Sequence, residues 1–458
     1  MLPADTEDQI EPKAFEVTNR MVFAIAAPMT LAFLTTPLLG LVDIAVAGRL
    51  GDASLIGGLA ISAVLFDLVF SVFNFFRAST TGLVAQAVGR RDRVEQQAIF
   101  WRALIAAVIA GLLVILAGPV LLWLGLKFMA PQPDVAIAAT AYLSIRVIST
   151  PAALANYVFL GQLLGEARSG LGLLLQTIIN GTNIVLSIWF GLGLGWGLEG
   201  IAWATVTAEV VGCVAGLSII MPGFRGTNRP AIIQIFDTKA LRSLLALNID
   251  IMIRTLALIF AFAWFTRLGA AFGELQLAAN AILMNLFLVA SYYLDGLATA
   301  AEQIAGRAIG ARHRPAFVRA VRLTIIWGFV LAVPTTAFFL FFGDGIIALL
   351  TTVEPVRQAA STYLPWAAVT AISGVLAFQM DGVFIGATWS RDMRNMMLLS
   401  LALFVACTHF LGQSFGNHGL WAALNIFLAS RGFGLLAVMP KRMNQIFGTA
   451  ESGMARPA

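Results

Sequence analysis

The sequence predicts an all-α polytopic membrane protein: twelve transmembrane helices in two six-helix bundles, related by a pseudo-two-fold axis along the membrane normal. Three observations carry this expectation. Of 458 residues, 59% are apolar and 12% charged, and the mean hydropathy is +0.87; a soluble domain has about 45–50% apolar and about 25% charged residues. Lys and Arg gather in alternate breaks between the apolar runs. The chain also matches itself at an offset of 221 residues.

In chain order the spans are expected near 22–48, 55–88, 96–124, 137–160, 170–193 and 198–221, then 241–266, 275–309, 315–343, 358–386, 394–413 and 418–440. A bilayer needs about 20 apolar residues per helix, so the longer runs should tilt or project into water. The stretch 222–240 carries two prolines, two glycines and mixed charge and reads as a cytoplasmic linker. It divides the chain into bundles 22–221 and 241–440, with tails 1–21 and 441–458. Even-numbered loops hold Arg90, Arg91, Arg93, Arg168, Arg225, Arg312, Arg314, Arg391 and Arg394, whereas odd-numbered loops hold only Arg49, Lys127, Arg267 and Arg357. Positive charge stays inside, so both termini are expected in the cytoplasm and the chain in the cytoplasmic (inner) membrane. Residues 1–20 hold five acids and no apolar core, so the first span is expected to act as an uncleaved targeting segment.

At the offset of 221, Gly89 falls on Gly310, Tyr142-Leu143 on Tyr363-Leu364, Gly161 on Gly382 and Gly165 on Gly386. With small gaps, Arg49-Leu50-Gly51 meets Arg267-Leu268-Gly269 and Gly197/Gly200 meets Gly416/Gly419. Six spans per half is an even number, so the repeat is parallel, with a cavity expected between the bundles. Gly161/Gly165 and Gly382/Gly386 form GxxxG pairs that let helices approach closely.

Other classes lose support. Cys213 and Cys407 give no disulfide framework, and three scattered histidines give no metal spacing. No GxxxxGK[ST] occurs, so no nucleotide-driven motor is read here. The basic clusters are short and lie between spans, which suits topology rather than nucleic acid. The run Gly412-Gln413-Ser414-Phe415-Gly416 has the GxSxG pattern, but it joins two apolar helices and is read as a loop. Neither an enzyme nor a resident cofactor or metal is expected, and the chain is read as a monomer.

A charge at bilayer depth costs about 2.5–3.5 kcal/mol on the insertion scale, so each one needs a reason. Asp43 lies in the first span after Pro28 and Pro37, which should bend that helix. Burial disfavours the charged form of a carboxylate, so Asp43 is a candidate protonation switch. A solvated place at the outer mouth is the alternative. In the fifth span Gln176, Asn180, Asn183 and Ser187 follow at steps of four, three and four and share one face; they are either interhelical glue or the wall of a polar network near Asp43. Asp250 and Arg254, four apart in the seventh span, can pair along the helix. Asp295 and Glu302 lie on similar faces of the eighth span, and Arg307 should snorkel to water; the three suggest a cytoplasmic vestibule or lock. Asp381 in the tenth span is a further substrate or gating candidate. Asp67, Arg77, Arg146, Glu209 and Arg431 are read as members of interhelical pairs.

The segments TPLLGLVDIAVAGRL, RASTTGLVAQAVG, LALNIDIMIRTL, LDGLATAAEQIAGRAIGAR, DGVFIGATWSRDMRN and FGNHGLWAAL resemble the multidrug and toxic compound extrusion (MATE) transporters, and most closely their DinF subfamily. The resemblance implies an efflux antiporter driven by protons or sodium, whose partners are cationic or amphipathic small molecules. It places Asp43 and Pro28 at the subfamily's coupling aspartate and kinking proline. Asn183 matches its fifth-span asparagine, but Ser187 stands where an aspartate is usual, which favours protons over sodium. The acidic pair of the NorM-type branch is not evident at Asp250 or Asp381. A lipid-linked precursor flippase of the same superfamily is the alternative function, and an intramembrane enzyme a third.

Overall fold

The computed structural model describes residues 15–226 and 229–448; most of both expected tails, and two residues of the expected linker, lie outside them. Among the described residues there is no strand, and twelve helices are long and apolar enough to cross a membrane. They run Asn19–Gly48, Ala53–Arg90, Arg93–Met129, Pro133–Gly165, Ser169–Gly193 and Gly197–Phe224 in the first half. Ile232–Ala271, Glu274–Gly310, Arg314–Leu350, Glu354–Gly386, Ser390–Phe415 and Asn417–Phe447 follow in the second.

The helices outrun the apolar stretches because polar turns at their ends remain helical in water. Capping side chains set several starts. Asp52 accepts from the Ser54 amide at 2.8 Å and Asp92 from the Glu95 amide at 2.9 Å, each satisfying an orphan N–H of a first turn. The Ser54 hydroxyl and amide together hold the Asp52 carboxyl below the usual carboxylate range. The stretch read as a linker is partly ordered: the sixth span runs on to Phe224, and a single turn, Ile232–Ile235, precedes the helix that starts at Thr238.

Three interruptions shape the first half. The second span breaks at Asn74 into Ala53–Phe73 and Phe75–Arg90. The fourth passes through a 3-10 turn at Val147–Ser149, just before Pro151. Pro151 has no N–H and its ring crowds the carbonyl of Val147; the Thr150 hydroxyl donates to that carbonyl at 2.5 Å, and Ser149 to the Arg146 carbonyl at 2.7 Å. The fifth span ends in a π turn, Trp189–Gly193, that starts two residues after Ser187. The first span stays helical through Pro28 and Pro37, which leaves the Ala24 and Phe33 carbonyls without their helical donors.

The halves meet where the first span and the Phe75–Arg90 segment pack against the eighth span. Small residues make this possible. A Cβ on Gly82 would stand 2.5 Å from the Ile385 carbonyl oxygen, and one on Gly296 2.0 Å from Thr30 Oγ1. The GxxxG pairs do the same within each half, Gly161 against Arg77 and Thr80, and Gly382 against Ala298.

Candidate functional site

A cavity of about 690 Å³ lies inside the first bundle. Five of its spans, the first, second, fourth, fifth and sixth, supply the wall, and Tyr292 and Asp295 of the eighth span complete it. This cavity therefore lies mainly in the first half, with the second contributing a rim. In the second half Phe265, Trp421, Phe404 and Phe427 pack into one apolar core, and Asp250 and Asp381 pair with arginines of the same half.

Asp43 faces this cavity, half-buried, and accepts a hydrogen bond from the Ser187 hydroxyl at 3.0 Å. The same hydroxyl lies 3.4 Å from Asn183 Oδ1. A hydroxyl has one hydrogen to give, so it serves one of the two acceptors at a time. Asn183 Nδ2 donates to Thr205 at 2.8 Å, and Thr205 passes its hydrogen to the Ile201 carbonyl at 3.2 Å. Asn180 Nδ2 donates to Thr35 at 2.6 Å. The fifth-span stripe thus reaches the first span at two levels, and Gln176 lines the cavity below it. Pro37 lines it too, whereas Pro28 does not.

Three further ionisable residues, read from sequence as members of interhelical pairs, stand in the cavity wall. Asp67 has no side-chain hydrogen bond there, and Glu209 accepts from Asn156 Nδ2 at 2.7 Å. Arg146 lies with its guanidinium carbon 4.2 Å from the Phe66 ring centroid, and its Nε and Nη1 are buried without a hydrogen-bond partner. Its charge acts on Asp43, Asp67 and Glu209. With Asp295, the wall carries four carboxyl groups and one guanidinium, beside Phe33, Phe66, Tyr142 and Tyr157. The presence of charge inside a span was the signal for Asp67, Glu209 and Arg146; the repeat marked Tyr142 without pointing to a cavity, and nothing in the sequence separated Asn156 or Tyr157 from other apolar-span residues.

The second half corrects one sequence reading outright. Asp250 and Arg254 do not pair. Asp250 accepts from Ser390 at 2.7 Å and from Arg394 at 2.5 Å, while Arg254 and Arg431 both pair with Asp381. Spacing along one helix allows a local pair, but these are buried charges, and the neighbouring spans offer partners in fixed geometry. Asp381 is 6% exposed and lies between two arginines rather than in the cavity wall. The eighth-span residues also divide. Asp295 and Glu302 both turn toward the first half, as their spacing suggested, but Asp295 faces the cavity and Glu302 pairs with Arg77 at 3.4 Å. Arg307 stacks on Phe15 at 4.4 Å. Of the residues read as interhelical pairs, Arg77 and Arg431 are so held. Gly412–Phe415 forms the last turn of a helix rather than a loop, and His418 accepts from Trp366 Nε1 at 3.1 Å.

Comparison with known proteins points one way. The family model described as MatE matches residues 28–189 and 243–411. The chain is 37% identical to DNA damage-inducible protein F of Escherichia coli over 92% of each chain. It is 24% identical to a probable multidrug resistance protein NorM of Chromobacterium violaceum, over 90% of this chain and 91% of that one. A crystal structure of a MATE protein in a bent conformation superposes with a TM-score of 0.86 at 18% identity, covering 94% of this chain and 97% of that one.

Proposed function

The chain belongs to the MatE family of transporters, and from that premise we propose that it is a secondary active antiporter that expels cationic or amphipathic organic compounds in exchange for protons. The observation that carries this reading is the composition of the cavity wall: four carboxyl groups, one guanidinium and several aromatic rings in about 690 Å³. Aromatic faces and carboxylates together suit an organic cation, and the volume falls in the range of small-molecule sites.

In this reading Asp43 is the coupling group. As a carboxylate it attracts a cationic substrate; once protonated it does not. Substrate and proton then compete for one carboxyl, each lowering the other's affinity by the same factor, and exchange follows when the carrier changes sides only with one of them bound. Ser187 donates to the charged form. Losing that acceptor frees its hydroxyl for Asn183 Oδ1, 3.4 Å away, which gives the network two arrangements, one for each protonation state. A neutral hydroxyl at 187, where the subfamily usually has a carboxylate, leaves Asp43 as the one charged group, among the described residues, that the stripe hydrogen-bonds. That favours a proton over sodium. Pro37, in the wall beside Asp43, marks the place where the first span can bend.

The contacts between the halves lie at the end of the molecule that holds Arg90, Arg91, Arg312 and Arg314. If positive charge marks the cytoplasm, the chain is closed on that side and loads its cavity from the other, with both termini inside. The alternative of a pyrophosphate-lipid flippase fits less well, since an acid-rich wall repels such a headgroup. The test is transport of a cationic dye by proteoliposomes under an imposed pH gradient without sodium. Dye movement supports the proposal; movement that requires a sodium gradient, or no movement in either, counts against it.

A further inference from the structure

We infer that the cleft between the start of the ninth span and the end of the twelfth binds an anionic phospholipid of the leaflet on the Arg-rich side. The cleft encloses about 580 Å³. Its ninth-span wall is one helical face: Arg314, Val318, Arg322 and Ile325 follow at steps of four, four and three. Met439 and Met443 of the twelfth span face them. Two features select the occupant.

The first is charge. Four arginines stand at this corner. Arg319 pairs with Glu16 at 3.7 Å, and Arg442 is held by both oxygens of Asp392 at 2.6 and 2.9 Å. Arg314 and Arg322, the two that line the cleft, have no hydrogen bond or ion pair among the described residues. Two arginines at headgroup level without a protein partner present their charge to an anionic lipid surface.

The second is depth. Trp327 donates from its indole to Asn19 at 3.0 Å, at the start of the first span. Tryptophans of this kind sit at the membrane interface. Arg322 lies five residues nearer the helix start, about 7 Å outward at 1.5 Å per residue, which is phosphate depth. Arg314 lies about 12 Å beyond Arg322, within reach of the outer part of a headgroup. Ile325 and Ile326, one turn inward of Arg322, give acyl chains an apolar bed. Free phosphate would have no use for that bed, and a zwitterionic lipid would bring its own cation to two arginines.

Native mass spectrometry of the full-length purified protein tests this. The probes are dioleoyl phosphatidylglycerol and dioleoyl phosphatidylethanolamine at matched concentration. Wild type should retain phosphatidylglycerol preferentially. The Arg314→Gln/Arg322→Gln double variant should lose that preference by on the order of tenfold, while Arg319→Gln keeps it. Thermal unfolding in detergent without lipid should be the same for all three, which separates lost binding from lost folding. Equal retention of the two lipids by wild type would overturn the site, as would undiminished preference in the double variant or equal loss in Arg319→Gln. So would a preference that emerges only after residues 449–458 are removed, because the chain's own tail would then be the occupant. Full displacement by inorganic phosphate would overturn the lipid in favour of a soluble anion.

Discussion

Gly89 and Gly310, which the internal repeat equates, face each other across the seam between the halves. A Cβ on Gly89 would stand 2.2 Å from the Arg307 carbonyl oxygen and 3.0 Å from the Gly310 carbonyl carbon. A Cβ on Gly310 would stand 2.0 Å from the Gln86 carbonyl oxygen. Gln86 and Arg307 are themselves one repeat apart, so the contact is reciprocal, as at a two-fold interface. The seam is the local symmetry axis expressed in two backbones that only glycine lets so close.

Because the clashing atoms are backbone, Gly89→Leu should separate the halves at this end rather than repack them. We expect the equilibrium to move toward the state open on the Arg-rich side. Gln86→Cys, half-buried in the seam beside Gly386 and Thr388, reads this out. Its labelling by a membrane-impermeant maleimide from that side should rise severalfold when Gly89→Leu is added. Unchanged labelling would mean that the seam does not gate access.

The Arg77–Glu302 pair crosses the same seam with both side chains largely buried. Glu302→Gln leaves the Arg77 guanidinium without a counter-charge, and removing one partner of a buried pair costs about 3–5 kcal/mol. If the pair forms only in this conformation, that cost falls on this conformation alone. Maleimide labelling at Gln86→Cys should then rise for Glu302→Gln as it does for Gly89→Leu, with little change in overall unfolding. A large drop in the unfolding temperature without added labelling would assign the pair to folding instead.

Among the described residues, Asp381 is the only carboxyl partner of Arg254 and Arg431. Asp381→Asn would leave two cations facing each other in a buried place, so we expect a clear loss of thermal stability and of membrane expression. Adding Arg254→Gln should recover much of it, since one charge would be removed with its partner. Recovery is what distinguishes charge balance from lost packing.

How much of this was legible in the sequence follows from what periodicity can carry. Twelve spans stand in the hydropathy, because a bilayer demands length and apolarity and little else. The stripe at Gln176, Asn180, Asn183 and Ser187 was readable as one face, because a helix converts spacing into direction. Which neighbour that face meets is set by packing. Asp43 could be placed near it through the family resemblance, whereas Asp67 and Glu209 turn to the same cavity with no spacing to say so. Asp250 and Arg254 show the opposite failure: their spacing was correct for a local pair, and partners on other spans took both.

The sharpest test concerns Asp43 and the hydroxyl beside it. Asp43→Asn keeps the shape of the side chain and removes its titration. We expect active efflux of a cationic dye to fall by at least tenfold, with normal insertion and unfolding temperature; full drug resistance at normal protein level would sink the coupling role. Ser187→Ala removes the donor and keeps the carboxyl. A donor stabilises the charged form of its acceptor, so without it a proton is held more tightly. The pH dependence of transport should shift upward, by about half to one unit if the bond contributes about 0.5–1.5 kcal/mol. Ser187→Asp puts a second carboxyl at the position whose hydroxyl stands 3.0 Å from the Asp43 carboxylate. Two carboxylates that close favour a shared cation, so transport that ignored sodium in the parent protein should become sodium-sensitive. If the parent already follows sodium, or if Ser187→Asp leaves both pH profile and sodium response unchanged, the hydroxyl has no part in choosing the ion.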